Sequence, residues 1–324
     1  MNRFPAFASL LAIAAFPAWP QGQITAVVNA ATFQSGLPSG GALATIFCAG
    51  LPLSVVKPGT YVASTSSPFP YVLGGLQVII NNAPSPILAV VISSSGQSAS
   101  AQINLQVPIE RSTSLLANQP ATPPNFYPGS LEVQVLSGLS VVGGASVADF
   151  PAPPSWGGFF ADANGYAIAQ HSSDYSLVTP QNPAHAGESI VAYADDFFPV
   201  WPSPPTGVLA PQETLYRILP PYLVYSPNFL VELSSTYLYL QAYPQPDCSV
   251  FFGTSCYSFT NTPPVQVTFE GQIGVEQINF VVPANQQPGN WALFFNVGSC
   301  TQAPFTAGAC GNGASSPYVL LPVQ

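Results

Sequence analysis

His171 stands beside Ser172 and three residues from Asp174 in "HSSDYS", residues 171 to 176, so the three residue types of a serine hydrolase occur within four positions. A working triad needs the serine hydroxyl, the imidazole and the carboxylate aligned for proton transfer, and in known hydrolases it draws them from distant parts of the chain. Neighbours in one turn rarely achieve that alignment, and the expectation here is a solvated loop. None of the Gly-x-Ser stretches ("GLSVV", "GASVA", "GESIV", "GTSCY") continues to the second glycine of a nucleophile elbow. His185, in "NPAHAGE", precedes a strand-like run and is read the same way.

Acid chemistry fares no better. Thirteen acidic residues are scattered mostly singly, and Asp195 and Asp196 in "YADDFFPV" form the adjacent pair. Strand alternation sends neighbouring side chains to opposite faces, which suits neither a shared proton nor a division into acid and base. At a bulge or strand end the two could ligate a cation through oxygen, so Asp195 and Asp196 are the candidate metal ligands, weighed against a solvated strand terminus. "ADANGY", with Asp162, Asn164 and Gly165, is a fragment of a calcium loop that lacks the remaining oxygen ligands and the closing bidentate acid. A hairpin turn using Gly165 for positive φ explains those letters more simply. No catalytic residue and no cofactor is assigned.

Two features point to binding and export. "LYRILPPYLVYSPNFLVELSSTYLYLQAYPQPDCSV" (215 to 250) carries Tyr216, Tyr222, Tyr225, Tyr237, Tyr239 and Tyr243. Tyrosine offers large, rigid, amphipathic contact area at small entropic cost, so these six are the candidate binding residues, for stacking of sugar rings or docking of a protein. The competing reading is that they fill alternate strand positions. Cys248 and Cys256, in "CSVFFGTSC", and Cys300 and Cys310, in "CTQAPFTAGAC", have the spacing of two short disulfide-closed loops. Zinc competes for these four, but no C-x-x-C spacing occurs. Cys48, in "LATIFCAGL", is then left as a buried free thiol.

The elements that must position these groups follow from composition. The 324 residues are 48% hydrophobic yet only 5% charged, with 37 Pro and 26 Gly. Helices with Lys and Glu on their outer faces are excluded by that charge content, while Val, Thr, Tyr and Phe alternate with small polar residues between Pro and Gly breaks. The chain is expected to be all-β. Its formal charge of −9 and its four scattered basic residues rule out the basic cluster that nucleic acid requires. Residues 1 to 22 place Arg3 ahead of an apolar run from Phe7 to Phe16, the pattern of a secretory signal, too short to span a bilayer. Cleavage and retention as an anchor both stay open. No other stretch is long and apolar enough to cross a membrane.

The chain repeats itself. "AQINLQVP" (101 to 108) returns as "EQINFVVP" (276 to 283), and each is followed by a Pro-Gly turn and another alternating strand. Upstream, "SGGALATIFCAGLP" corresponds to "AHAGESIVAYADDFFP", and "LGGLQVIINNAPSPILAVV" to "PPVQVTFEGQIGVEQ". Four elements in the same order make a duplicated module. Gly41 to Gln102 spans 61 residues and Gly187 to Gln277 spans 90, so the second copy holds the insertion, placed at about 213 to 262. The expected architecture is two tandem immunoglobulin-like antiparallel β-sandwiches, residues 23 to 152 and 157 to 324, joined at "PAPPSW" (151 to 156).

The blocks "VVNAATF", "QIN..VP" and "NPA..GE" together resemble the Solibacter-type uncharacterised C-terminal domain family of secreted bacterial proteins, over most of residues 24 to 324. More distantly, each copy is similar to TIG-type immunoglobulin-like modules. The resemblance implies exported modules of unknown role and brings no catalytic residues. "YADDFFPV" departs from the small-residue stretch expected there, and the Tyr-rich insertion is larger than usual.

The reading is therefore an exported, secreted or cell-surface, non-enzymatic protein for extracellular binding, adhesion or surface assembly, its partner a protein or a polysaccharide. The alternatives are a carbohydrate-binding module acting through the Tyr-rich insertion and a hydrolase using His171 or the aspartate pair.

Overall fold

The computed structural model describes residues 22–64, 68–109, 129–149, 157–196, 200–201, 205–209, 216–218, 224–226, 229–231, 235–242, 257–260, 266–267, 274–298, 314–315 and 317–324. Among them every regular element is a strand, and there is no helix long and apolar enough to cross a membrane.

The N-terminal half contains β1 (Gln23–Asn29), β2 (Leu43–Pro52), β3 (Gly59–Val62), β4 (Leu76–Ile80), β5 (Ala83–Ser85), β6 (Ile87–Ser95), β7 (Ser98–Gln106), β8 (Gly129–Ser137) and β9 (Ser140–Asp149). They form a five-stranded sheet in the order β1-β2-β7-β6-β3 and a four-stranded sheet in the order β5-β4-β8-β9, with antiparallel pairing throughout. Alternate residues of both sheets, among them Ile46, Ile103 and Leu105 from one and Val78, Ile80, Val133 and Val135 from the other, share one buried cluster. That is the two-layer core of a β-sandwich.

The C-terminal half contains β10 (Gly158–Phe159), β11 (Ala169–His171), β12 (Ser189–Asp195), β13 (Val200–Trp201), β14 (Tyr216–Ile218), β15 (Val224–Ser226), β16 (Phe229–Val231), β17 (Ser235–Ala242), β18 (Tyr257–Thr260), β19 (Gln266–Val267), β20 (Glu276–Val281), β21 (Gly289–Gly298), β22 (Ala314–Ser315) and β23 (Val319–Val323). β12 pairs with β10, β11 and β20, while β21 pairs with β17, β22 and β23. Phe159, Ile190, Ile278, Phe280, Leu293 and Leu321 lie in a second buried cluster between them.

The repeated octamer occupies the same place in each half. Ile103 pairs with Ile46 in the first and Ile278 with Ala192 in the second, and both isoleucines are buried. Gly41 N–H donates to Val107 O at 2.8 Å, and Gly187 N–H donates to Val282 O at 2.9 Å. Both glycines have positive φ, 97° and 81°, which a side chain would make costly. The polar positions match too, with Gln102 Nε2 donating to Asn104 Oδ1 at 3.3 Å and Gln277 Nε2 to Asn279 Oδ1 at 2.9 Å. The same letters build the same ladder because the same hydrophobic alternation and the same glycine turn fix its register.

Candidate functional site

The aspartate pair does not behave as strand alternation dictates. Asp195 is the last residue of β12, and Asp196 leaves the strand with φ of 60°, a left-handed conformation. That turn brings both carboxylates to one stretch of the N-terminal half instead of opposite faces. Asp195 Oδ1 accepts from Leu43 N–H at 2.9 Å, its Oδ2 accepts from Asn29 Nδ2 at 3.1 Å, and Asp196 Oδ1 accepts from Ser39 N–H at 3.0 Å. Asn29 is oriented for this by its own Oδ1, which accepts from the N–H groups of Ala31 and Thr32 at 2.8 and 2.9 Å.

Burial is complete at Asp195. Loss of hydration lifts its carboxyl well above the usual range, the charge of Asp196 adds to this, and Glu276 does so more weakly. The Leu43 and Asp196 N–H groups oppose the rise without cancelling it. Among the described residues no group of three His, Cys, Asp or Glu side chains is arranged to hold a metal ion.

Further contacts join the halves around this pair. Gln106, buried at the end of β7, donates from Nε2 to Gly41 O at 2.9 Å and accepts at Oε1 from Gly207 N–H at 2.8 Å. Ile109 N–H donates to Thr206 Oγ1 at 3.0 Å, and Phe69 N–H to Gly207 O at 2.9 Å. Leu43, Ala63 and Phe69 form an apolar cluster with Phe160, Leu209 and Val275 packed against it. A Cβ added to Gly158 would lie 2.6 Å from Thr32 Cγ2, so the Gly158 backbone packs directly against the Thr32 side chain. The joint is thus polar at its centre and apolar at its flank, and the octamers differ in its service. Gln106 of the first copy makes the joint, whereas its counterpart Val281 is exposed.

His171 corrects the expectation of a solvated loop. It is buried, with Nδ1 2.6 Å from Glu188 Oε1 and Nε2 3.3 Å from Asn182 O. Glu188 Oε2 also accepts from His185 N–H at 2.8 Å. Partial burial works against the charged form of Glu188, but the His185 N–H bond and the His171 imidazole outweigh it and hold the carboxyl below its ordinary range. Both imidazole nitrogens therefore face protein oxygens, and the arrangement staples the 172–188 connection to β11. His185 is exposed, as expected. The signal for Glu188 was present in "NPAHAGE", but only the fold brings it to His171 from 17 residues away.

The Asp162 turn is a hairpin. Asp162 Oδ1 accepts from Asn164 and Tyr166 N–H at 2.8 and 2.9 Å, and Gly165 has φ of 83°. These bonds, led by that from Tyr166, lower the Asp162 carboxyl. Cys48 is a buried free thiol whose pKa burial pushes up to about 12. Cys248, Cys256, Cys300 and Cys310 lie outside the described residues, as do Tyr222 and Tyr243. Tyr216 falls in β14, Tyr225 in β15, and Tyr237 and Tyr239 in β17.

No protein-family model matches the chain, and no curated protein matches it. Among solved structures it aligns with a Corynebacterium diphtheriae protein titled "Putative membrane anchored protein" at 12% identity and a TM-score of 0.19, over 94% of this chain. The chain spans 58% of that protein's length.

Proposed function

We propose that the chain is an exported, non-enzymatic β-sandwich protein that serves extracellular binding, adhesion or surface assembly, with the Tyr-rich insertion of the C-terminal half as its recognition element. The observation that carries this reading is the anchoring of β17. All eight of its residues, Ser235 to Ala242, pair with β21, and four of them pair with β18 on the other side. The insertion is therefore tied by backbone pairing into the sheet that holds β21, and the paired strand carries Tyr237 and Tyr239 in its sequence. An aromatic-rich strand whose backbone is paired on both sides suits a binding element, because less backbone freedom is lost when a partner docks.

The duplicated octamer supports the other half of the reading: what the copies share is scaffold, and what the second copy adds is the insertion. The resemblance to secreted bacterial modules and the leader-like residues 1 to 22 support export. Binding of the purified full chain to a glycan array and to extracellular proteins of its own cells tests the proposal. Binding that falls at least tenfold in Tyr237→Ala and Tyr239→Ala variants is expected, and binding untouched by both would overturn the assignment. Glycan hits would narrow the role to a carbohydrate-binding module.

A further inference from the structure

The N-terminal sandwich has two unlike ends. One is the joint, where β2 begins at Leu43 and β8 begins at Gly129, paired with Asp149. The other lies nine residues along β2, roughly 30 Å away at about 3.3 Å per residue, beyond Pro52. There Leu53 and Val55 are exposed, and so are Leu139 in the β8–β9 turn and Val141 at the start of β9. The two segments are neighbours, because Ser137 Oγ donates to Val55 O at 3.0 Å. Leu139, at the tip, is as exposed as a side chain can be.

Apolar residues at a tip invite a partner, and three observations say which. First, Gly22 is at this end: a Cβ on it would lie 2.5 Å from both Leu51 Cδ2 and Val142 O. Phe16, the end of the apolar run of the leader, lies six positions before Gly22, so at about 3.5 Å per residue this end lies within roughly 20 Å of that run in the uncleaved chain. Second, the exposed Lys57, the single lysine of the chain, stands two residues from Val55. Third, the acids of this half within the described residues are Glu132, which pairs with Ser146 in mid-sheet, and Asp149, at the joint end. In a chain of charge −9, this end is apolar with a positive residue and no described acid.

We propose that the end of the N-terminal sandwich formed by Leu53, Val55, Leu139 and Val141, with Lys57 beside them, lies against an anionic lipid surface. Apolar side chains enter the acyl boundary while lysine meets the headgroup charge. The C-terminal half, joined at the opposite end, is then held away from the membrane. This rests on the export reading with the apolar run retained as an anchor, but not on the identity of the ligand bound by the insertion.

The test uses the full chain reconstituted with phosphatidylglycerol–phosphatidylethanolamine vesicles and carrying a nitroxide at Leu139→Cys or, as control, at Tyr318→Cys. The signal of the labelled unsubstituted chain is subtracted. A rise of about threefold or more in the oxygen-to-nickel accessibility ratio at position 139, with none at 318, is expected. In a second variant the nitroxide sits at Val55→Cys, and Leu139→Asp should return it to water. Both labels staying in water would overturn the proposal. So would shielding of position 139 without vesicles, which would mean that a second copy covers this end. Neither result would touch the glycan or protein binding of the insertion.

Discussion

The substitution Asp195→Asn separates the two demands placed on the buried carboxyl. The new amide can still accept from Leu43 N–H, but it sets an NH₂ against Asn29 Nδ2, whose orientation is locked by the Ala31 and Thr32 N–H groups. One hydrogen bond is lost, worth about 1 kcal/mol, or roughly 2 to 4 °C in the midpoint of a protein of this size. Against this, the native carboxyl is held above its ordinary value by burial, by Asp196 and by Glu276. Between the unfolded pKa near 3.8 and the raised folded value the native state binds the extra proton, so its stability falls as pH rises through that window. Each unit of elevation removes about 1.4 kcal/mol by the time the folded pKa is passed. The amide carries no such loss. Denaturant midpoints of both proteins measured from pH 3.5 to 9 should show the variant weaker at the acid end, and the gap should close with rising pH. It reverses where the elevation exceeds about one unit. A difference independent of pH, or one that widens in favour of the native chain as pH rises, would show this balance to be wrong. The second result would mean that the Leu43, Asn29 and Asp196 donors outweigh the loss of hydration.

The other groups act in the opposite direction or not at all with pH. Glu188 sits below its ordinary range, so its contribution is present above about pH 4.5 and lost as pH falls through the lowered folded pKa; Glu188→Gln should flatten the acid limb of the stability profile. Gln106→Val copies the second octamer but strands Gly41 O and Gly207 N–H, and a loss of about 2 to 4 kcal/mol is expected from chemical denaturation. Cys48 should resist iodoacetamide in the native chain at pH 8 and react fully in denaturant, read by mass spectrometry, because burial and a pKa of about 12 keep it a thiol. Peptide mapping without reduction should recover Cys248 linked to Cys256 and Cys300 linked to Cys310.

The scaffold was legible because its signals are local. Ile103, Leu105 and Val107 alternate with polar residues, Gly41 and Gly187 mark the turns that close each ladder, and Cys48 sits in an apolar run, so each could be placed from its immediate neighbours. The joint was not legible for the opposite reason. Asp195 meets Asn29 and Leu43 across 166 and 152 positions, and Asp196 meets Ser39 across 157. Nothing in "YADDFFPV" announces a left-handed Asp196, and without that turn alternation sends the two carboxylates apart. His171 misled in the same way. A polar hexapeptide reads as solvated, but the partners that bury its imidazole, Asn182 and Glu188, come from the far side of the connection.

If the aspartate pair and Gln106 fix the two halves in one orientation, a distance taken across the joint must have a single value. Nitroxides at Leu139→Cys and Tyr175→Cys, read by pulsed electron spin resonance on the full chain, measure it. One narrow distribution is predicted for the native sequence, broadening when Asp195→Ala and Asp196→Ala are combined. A broad distribution in the native chain, or one that the double substitution leaves unchanged, would contradict a joint held by these residues.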